Sequence, residues 1–151
     1  MNNYIFIKGS VPALKNGKIW TGRFLVYSKR VKEYLKSHNI KSFNSSERGD
    51  KKKEVIHFKN GINTFEIEAM KIKDILSTLE PPYKFQFHFV RDTKHKFDFG
   101  NGVELLADLF TSYGIIADDN MDIFHPSILY IDGKGYSYDK ENPGVFINIL
   151  K

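Results

Sequence analysis

The sequence predicts one globular domain that mixes strands and helices, and three observations carry that expectation. The chain has 151 residues, close to the ~150 of a typical domain, with 41% hydrophobic and 15% aromatic residues to build a core. Apolar residues recur at helical spacing in three stretches, and in several shorter ones they alternate or run together as strands do. A charged fraction of only 27% beside that core excludes a disordered or collagen-like chain.

Taken in order, residues 3 to 7, Asn-Tyr-Ile-Phe-Ile, read as a strand at the edge or centre of a sheet. Val11 to Arg23, with Pro12, Gly17 and Gly22, reads as a long loop. Phe24 to Tyr27 is expected to be a short strand. Ser28 then serves as the expected N-cap of a helix from Lys29 to His38, whose Val31, Tyr34 and Leu35 share one face while lysines take the rest. Lys41 to Asn63 is polar and turn-rich, the expected place of a mobile insertion, with one strand at Val55 to Phe58.

Phe65 to Leu79 predicts a second helix with Ile67, Met70, Ile72, Ile75, Leu76 and Leu79 as its apolar stripe, stopped by Pro81-Pro82. Tyr83 to Val90 sets Phe85, Phe87 and Phe89 against Gln86 and His88, which predicts a half-buried strand with His88 partly solvated. A third helix is expected from Gly102 to Tyr113, buried through Val103, Leu106, Ala107 and Phe110 and ended by Gly114. Ile115-Ile116-Ala117 reads as the start of a buried strand. Ser127 to Ile131 and Val145 to Ile149 read as two strands joined across a loop rich in Gly, Asp and Tyr.

Composition also narrows the function. No apolar run is long enough to cross a bilayer, and the N-terminus shows neither a basic leader nor a small-residue cleavage site. With no cysteine there is no disulfide, thiolate metal site or cysteine nucleophile, so the expectation is a cytoplasmic protein whose metals are held by oxygen or imidazole. The net charge of +5 hides a separation. Residues 1 to 97 carry 20 Lys/Arg against 9 Asp/Glu, whereas residues 98 to 151 carry 3 against 9. Basic residues cluster at Lys29, Arg30, Lys32, Lys36 and Lys41, at Lys51 to Lys53, and at Arg91, Lys94 and Lys96. Three clusters in one chain point beyond a solubilising surface toward a phosphate polyanion.

The acids Asp98, Asp118, Asp119 and Asp122 are the candidate metal ligands, because a hard divalent cation such as Mg2+ takes oxygen donors and few of them from protein. Asp118-x-Asn120-x-Asp122 matches the first three ligand positions of a calcium-binding EF-hand loop. Ile123 in place of the loop glycine and Leu129 in place of its closing glutamate end that match. The plain alternative is that these acids decorate a turn.

A set of motifs in one order resembles the RusA-like Holliday junction resolvases, phage-type crossover junction endodeoxyribonucleases. The carriers are Lys94-His95-Lys96, Asp98-Phe99-Gly100-Asn101, the helical Leu105 to Phe110, and Gly114 to Asn120 with its Asp118-Asp119 pair. Ser10 to Asn16 and Ser28-Lys29 are similar to the family's opening segments, so the likeness spans most of the chain outside Lys41 to Phe58. The family's Asp-x-Asp-Asn motif places its first Asp on Asp98 and its second on Gly100. Its helical Lys falls on Glu104, and its later Asp on Asp119. Glu104 has two readings: a substitute metal ligand, or the partner of Asn101 in a capping box.

The resemblance implies an α+β fold, a mixed β-sheet with helices packed on it, and Mg2+-dependent hydrolysis of branched DNA by a homodimer, with Mn2+ as a substitute ion. It assigns the ion to Asp98 and Asp119, with Asp118 as a further ligand or water-orienting group and Glu104 and Asp122 as additional candidates. Lys94, His95, Lys96 and Arg91 would meet the DNA backbone, and Lys15, Arg23, Lys29 and Arg30 would extend that surface. A protein of the same fold with weakened cleavage that still binds DNA structure is the second reading. A small phage interaction protein with an incidental basic surface is the third. Asp98 and Asp119 are separated by a helix of roughly 12 residues, ~18 Å long. An extended return through Ile115 to Asp119 would close the site within one chain, the expected route, while packing about a dimer axis would close it between chains.

Overall fold

The computed structural model describes residues 4–12, 18–20, 25–27, 29–43, 55–59, 61, 64–96 and 98–151, and for 18–20 and 25–27 it describes the backbone alone. The fold is α+β: a mixed five-stranded sheet with three helices packed on it, and two small ribbons beside it. Strand β1 is Ile5–Lys8. The expected loop at Val11 to Arg23 contains a strand, β2 (Lys18–Trp20), which pairs antiparallel with β3 (Leu25–Tyr27). Three residues with two glycines nearby give too short a pattern to register as a strand; pairing with β3 supplies what local preference does not.

Helix α1 (Lys29–Ser37) buries Val31, Tyr34 and Leu35, the face its spacing predicts. Strand β4 (Ile40–Phe43) follows and pairs antiparallel with β5 (Val55–His57), so residues 41–43 form a strand where the sequence reads as turn-rich. Residues 44–54, the middle of the expected insertion, lie outside the described residues.

Helix α2 (Thr64–Leu76) buries Phe65, Ala69, Ile72 and Leu76 and packs against β1. The predicted stripe is thus rotated: Ile67 and Met70 are exposed, because the sheet contacts the side marked by Phe65 and Ala69. The pair Pro81-Pro82, joined by a cis peptide bond, separates α2 from β6 (Tyr83–Arg91).

β6 is the centre of the molecule. β9 (Gly144–Leu150) pairs with it antiparallel along one edge, and β1 adds outside β9. Along the other edge run β7 (Phe124–Ile128) and then β8 (Tyr136–Tyr138), both parallel to β6. Strand β7 starts three residues before the expected Ser127, and its edge position accommodates Pro126, whose nitrogen has no proton to donate. Strand β8 lies inside what reads as a loop.

Phe85, Phe87 and Phe89 face α3 (Phe99–Ser112): Phe85 lies 5.8 Å from Phe110, and Phe89 lies 5.9 Å from Phe99, centroid to centroid. On the opposite face Lys84 is exposed and Gln86 half-buried, whereas His88 and Val90, further along the strand, are buried. His88, expected to be partly solvated, is 1% exposed, with Nδ1 2.9 Å from the Leu129 carbonyl and Nε2 2.6 Å from the Ser137 hydroxyl. Those contacts fix a tautomer in which Nδ1–H donates and Nε2 accepts. Alternation marks a strand with one wet face, and that face of β6 is wet at Lys84 but closed over at His88, so His88 is a satisfied core group.

Helix α3 begins at Phe99 and not Gly102. Asp98 is its N-cap, with the side chain accepting from the Gly100 amide at 3.1 Å. The capping box expected from Asn101 and Glu104 is therefore absent: Asn101 already lies within the first turn, and Glu104 is exposed. Nearly every side of α3 is buried, from Gly102 through Ser112. Gly114, at φ +75°, ends the helix as expected.

Candidate nucleic-acid interface and metal ligands

The sheet order places the site. β1 and β6 both run antiparallel to β9, and Lys8 and Val90 both register on Gly144. The segments leaving their C-terminal ends, Gly9 to Pro12 and Asp92 to Lys96, therefore emerge side by side. Ser10 ties them by donating to Asp92 at 3.1 Å. Gly9, at φ +106°, passes so close to α1 that a Cβ would meet Tyr34 at 3.3 Å. His38 secures the wall from below, with Nε2 donating to the Lys8 carbonyl at 2.6 Å. Burial lowers the His38 pKa, a shift only partly opposed by that bond, so the ring is neutral at pH 7.

Between these segments and one face of α1 opens a cleft of about 550 Å³. Arg30, Glu33, Tyr34 and Ser37 enter it from α1 at helical spacing. Arg91, Asp92, Thr93, His95 and Lys96 enter it after β6, and Asp98 and Asn101 from the start of α3. Burial lowers the Arg91 pKa; Asp92 acts against that, and Arg30 facing the same cleft lowers it further. A guanidinium stays charged through such shifts. Arg91, partly desolvated, and the exposed Arg30 place two guanidinium groups on a cleft that Glu33, Asp92 and Asp98 also line, a mixed-charge surface on which an anion would be met by the two cations. The N-terminus of α3 opens here too, with the Gly100 and Asn101 amides taken by Asp98 and the positive end of the helix dipole at the cleft.

Of the residues singled out in the sequence, the cleft gathers Arg30, Arg91, His95, Lys96 and Asp98. Lys94 points elsewhere, its ammonium 5.1 Å from the centre of the Tyr138 ring. Lys29 is exposed and 3.8 Å from Glu33. Lys15, Arg23 and Ser28 lie outside the described residues. Asp92, Thr93 and Tyr34 belong to the cleft without having been singled out. Their signal was present in the i, i+3, i+4, i+7 face of Arg30, Glu33, Tyr34 and Ser37, and in a strand end followed by a basic run.

Asp118, Asp119 and Asp122 do not line this cleft. The expected strand at Ile115 to Ala117 is a turn: the amides of Ile115 and Ile116 both donate to the Phe110 carbonyl, at 2.8 and 3.5 Å. The chain wraps over the last turn of α3 because Ile115 and Ile116 are buried there. The extended return that would close a site within one subunit is therefore not made. Asp118 accepts from the Asp119 amide at 2.7 Å and from the Asn120 side chain at 3.2 Å, and Asn120 accepts from the Asp122 amide at 3.0 Å. Glu104 is exposed and outside the cleft.

Among the described residues, no group of three or more His, Asp or Glu side chains is gathered to share a metal ion. The donors that are present are hard oxygens, and Mg2+ commonly takes one or two carboxylates with substrate phosphate and water completing its shell. Asp98 at the cleft suits that role as one ligand.

Comparison with known proteins finds no matching family model, no matching curated protein and no matching solved structure. Among the described residues, no helix is long and apolar enough to cross a membrane.

Proposed function

We propose that this protein is a Mg2+-dependent, structure-specific endodeoxyribonuclease that nicks Holliday junctions or other branched DNA, acting as a homodimer. The observation that supports this reading most is the convergence of Arg30, Arg91, His95 and Lys96 on the cleft that holds Asp98 and Asn101 at the start of α3. Cations there would receive a backbone phosphate, and the positive end of the α3 dipole would add to their pull. Mg2+, when bound, supplies Lewis-acid activation of the phosphodiester, with Mn2+ as the expected substitute. Asp98 would hold the ion together with Asp119 of a second subunit, Asp118 acting as a further ligand or orienting group. Lys94 and Lys29 lie outside the cleft, where they would meet flanking phosphates. A twofold dimer presents two such sites, as the two nicks of a four-way junction require.

One observation favours a second reading, a structure-specific DNA-binding protein with weakened cleavage. Gly100 stands where the resembled motif has a carboxylate, and the described residues of one chain gather no three-acid site. A synthetic four-way junction incubated with Mg2+ or Mn2+, beside an Asp119→Asn control, separates the two. Metal-dependent nicking by the wild type and its loss in the control support the nuclease. Salt-sensitive junction binding without nicking supports the binding protein.

A further inference from the structure

The Tyr-rich stretch after β7 takes no part in the cleft, yet it builds a second surface beside it. In β8, Ser137 turns toward His88, so Tyr136 and Tyr138 project from the opposite face, the one on which Phe89 meets α3. Both rings are nearly half exposed, at 49% and 46%, and Tyr130 is exposed further at 64%. The Lys94 ammonium stands over the Tyr138 ring at 5.1 Å. Lys134, in the turn closed by Ile131, lies across from it. Tyr136, Tyr138, Lys94, Lys134 and Thr93 line an open groove of about 650 Å³. Thr93 also lines the cleft, so the two adjoin at this residue.

Exposed tyrosine faces interleaved with lysines form a specific kind of surface. Aromatic rings offer stacking partners to bases of any sequence, and ammonium groups neutralise the phosphates between them. Paired bases inside a duplex are already stacked on one another and have no face to offer. Unpaired ones do, and flaps, forks and junctions opened at the branch are where branched DNA has them. We infer that this groove binds unpaired nucleotides at the branch, stacking them on Tyr136 and Tyr138 while Lys94 and Lys134 contact their phosphates. The assignment rests on the cleft being a DNA site, since it explains how a phosphate at a branch is chosen over one in plain duplex.

The test uses oligothymidylate of about ten nucleotides, within the usual span of such sites. Its binding to the full chain is followed by fluorescence anisotropy, with junction nicking measured in parallel. The double variant Tyr136→Ala/Tyr138→Ala is expected to bind oligothymidylate at least tenfold more weakly. Tyr136→Phe/Tyr138→Phe keeps both ring faces and is expected to bind as the wild type does. Lys94→Ala should flatten the salt dependence. Wild-type affinity in the Ala double variant overturns the inference even if junctions are still nicked, as does a wild type that does not bind oligothymidylate. Tyr-dependent binding by a wild type that nicks nothing under Mg2+ or Mn2+ upholds the groove and removes the nuclease reading.

Discussion

The two ends of α3 carry the same kind of residue in opposite circumstances. At the N-terminal end, Asp98 gives one oxygen to the Gly100 amide and faces a cleft with Arg30, Arg91, His95 and Lys96. At the C-terminal end, Asp118 and Asn120 give their oxygens to the residues that follow them and hold a turn. Fourteen residues of helix, ~21 Å at 1.5 Å per residue, separate the two. An acid becomes a candidate ligand through what it faces. Asp98 faces cations and helix amides within its own chain, whereas the Asp118-Asp119 pair lies outside that cleft, and in the proposed dimer it is a second subunit that brings the two together.

The largest expected effect comes from removing what keeps the ends apart. Phe110 is fully buried, packs on Phe85 at 5.8 Å, and offers its carbonyl to the turn amides. Phe110→Ala is expected to lower unfolding free energy by ~3–5 kcal/mol in a denaturant titration, because the packed helix cannot collapse around the cavity. A loss well under 1 kcal/mol would mean that α3 is not the rigid spacer described here.

A smaller effect distinguishes the ends by acid. His38 holds the Lys8 carbonyl beneath the cleft, and its folded-state pKa lies below the ordinary ~6.5. Below that pH the unfolded chain binds the proton more readily than the folded one. Stability is therefore full above pH ~6.5 and declines as pH falls, by at most ~1.4 kcal/mol per pH unit. His38→Gln should flatten that decline in thermal melts taken between pH 7 and 5; an unchanged slope would remove His38 as its source.

At the helix start, Asp98→Ala loses the N-cap and should cost ~1 kcal/mol, while Asp98→Asn keeps a capping oxygen and should stay near wild-type stability. Equal destabilisation of the two variants would place the capping interaction elsewhere. Gly100→Asp sharpens the comparison from the same turn. Gly100 has helical backbone, and a Cβ there would meet only Asp98 Oδ1, at an ordinary 3.6 Å. The variant is expected to fold and to bind Mg2+ more tightly in a calorimetric titration, and unchanged affinity in a folded variant would break the alignment across this motif. The smallest effect is electrostatic. Lys96→Ala should reduce the slope of log affinity against log salt for junction DNA by ~0.9, one phosphate contact. Affinity insensitive to salt in the wild type would remove the nucleic-acid reading altogether.

Much of this arrangement was legible in the sequence where local pattern and tertiary context agree. Val31, Tyr34 and Leu35 mark the buried face of α1 because only one side of that helix meets protein. His88 departs from the expected solvation because its face of β6 is wet at Lys84 and covered further along, and alternation does not report where along a strand the cover begins. Helix α3 was read as starting late: Asn101 followed by Glu104 imitates a capping box, but Asp98 three residues earlier takes the cap. Asp98, His95, Lys96, Arg91 and Arg30 were each legible as types. Their convergence was not, since it depends on β1 and β6 ending at one edge of the sheet through their shared partner β9. The turn at Ile115 was misread because two buried isoleucines fit a strand and a helix-capping wrap equally well.

The claim that the two ends of α3 meet between subunits is tested most directly by mixing two inactive proteins, Asp98→Asn and Asp119→Asn, and assaying junction nicking with Mg2+. A heterodimer of the two regains one intact pairing of Asp98 with Asp119, so nicking returns where neither variant alone has any. A verified heterodimer that stays inactive, beside a wild type that nicks, would contradict it.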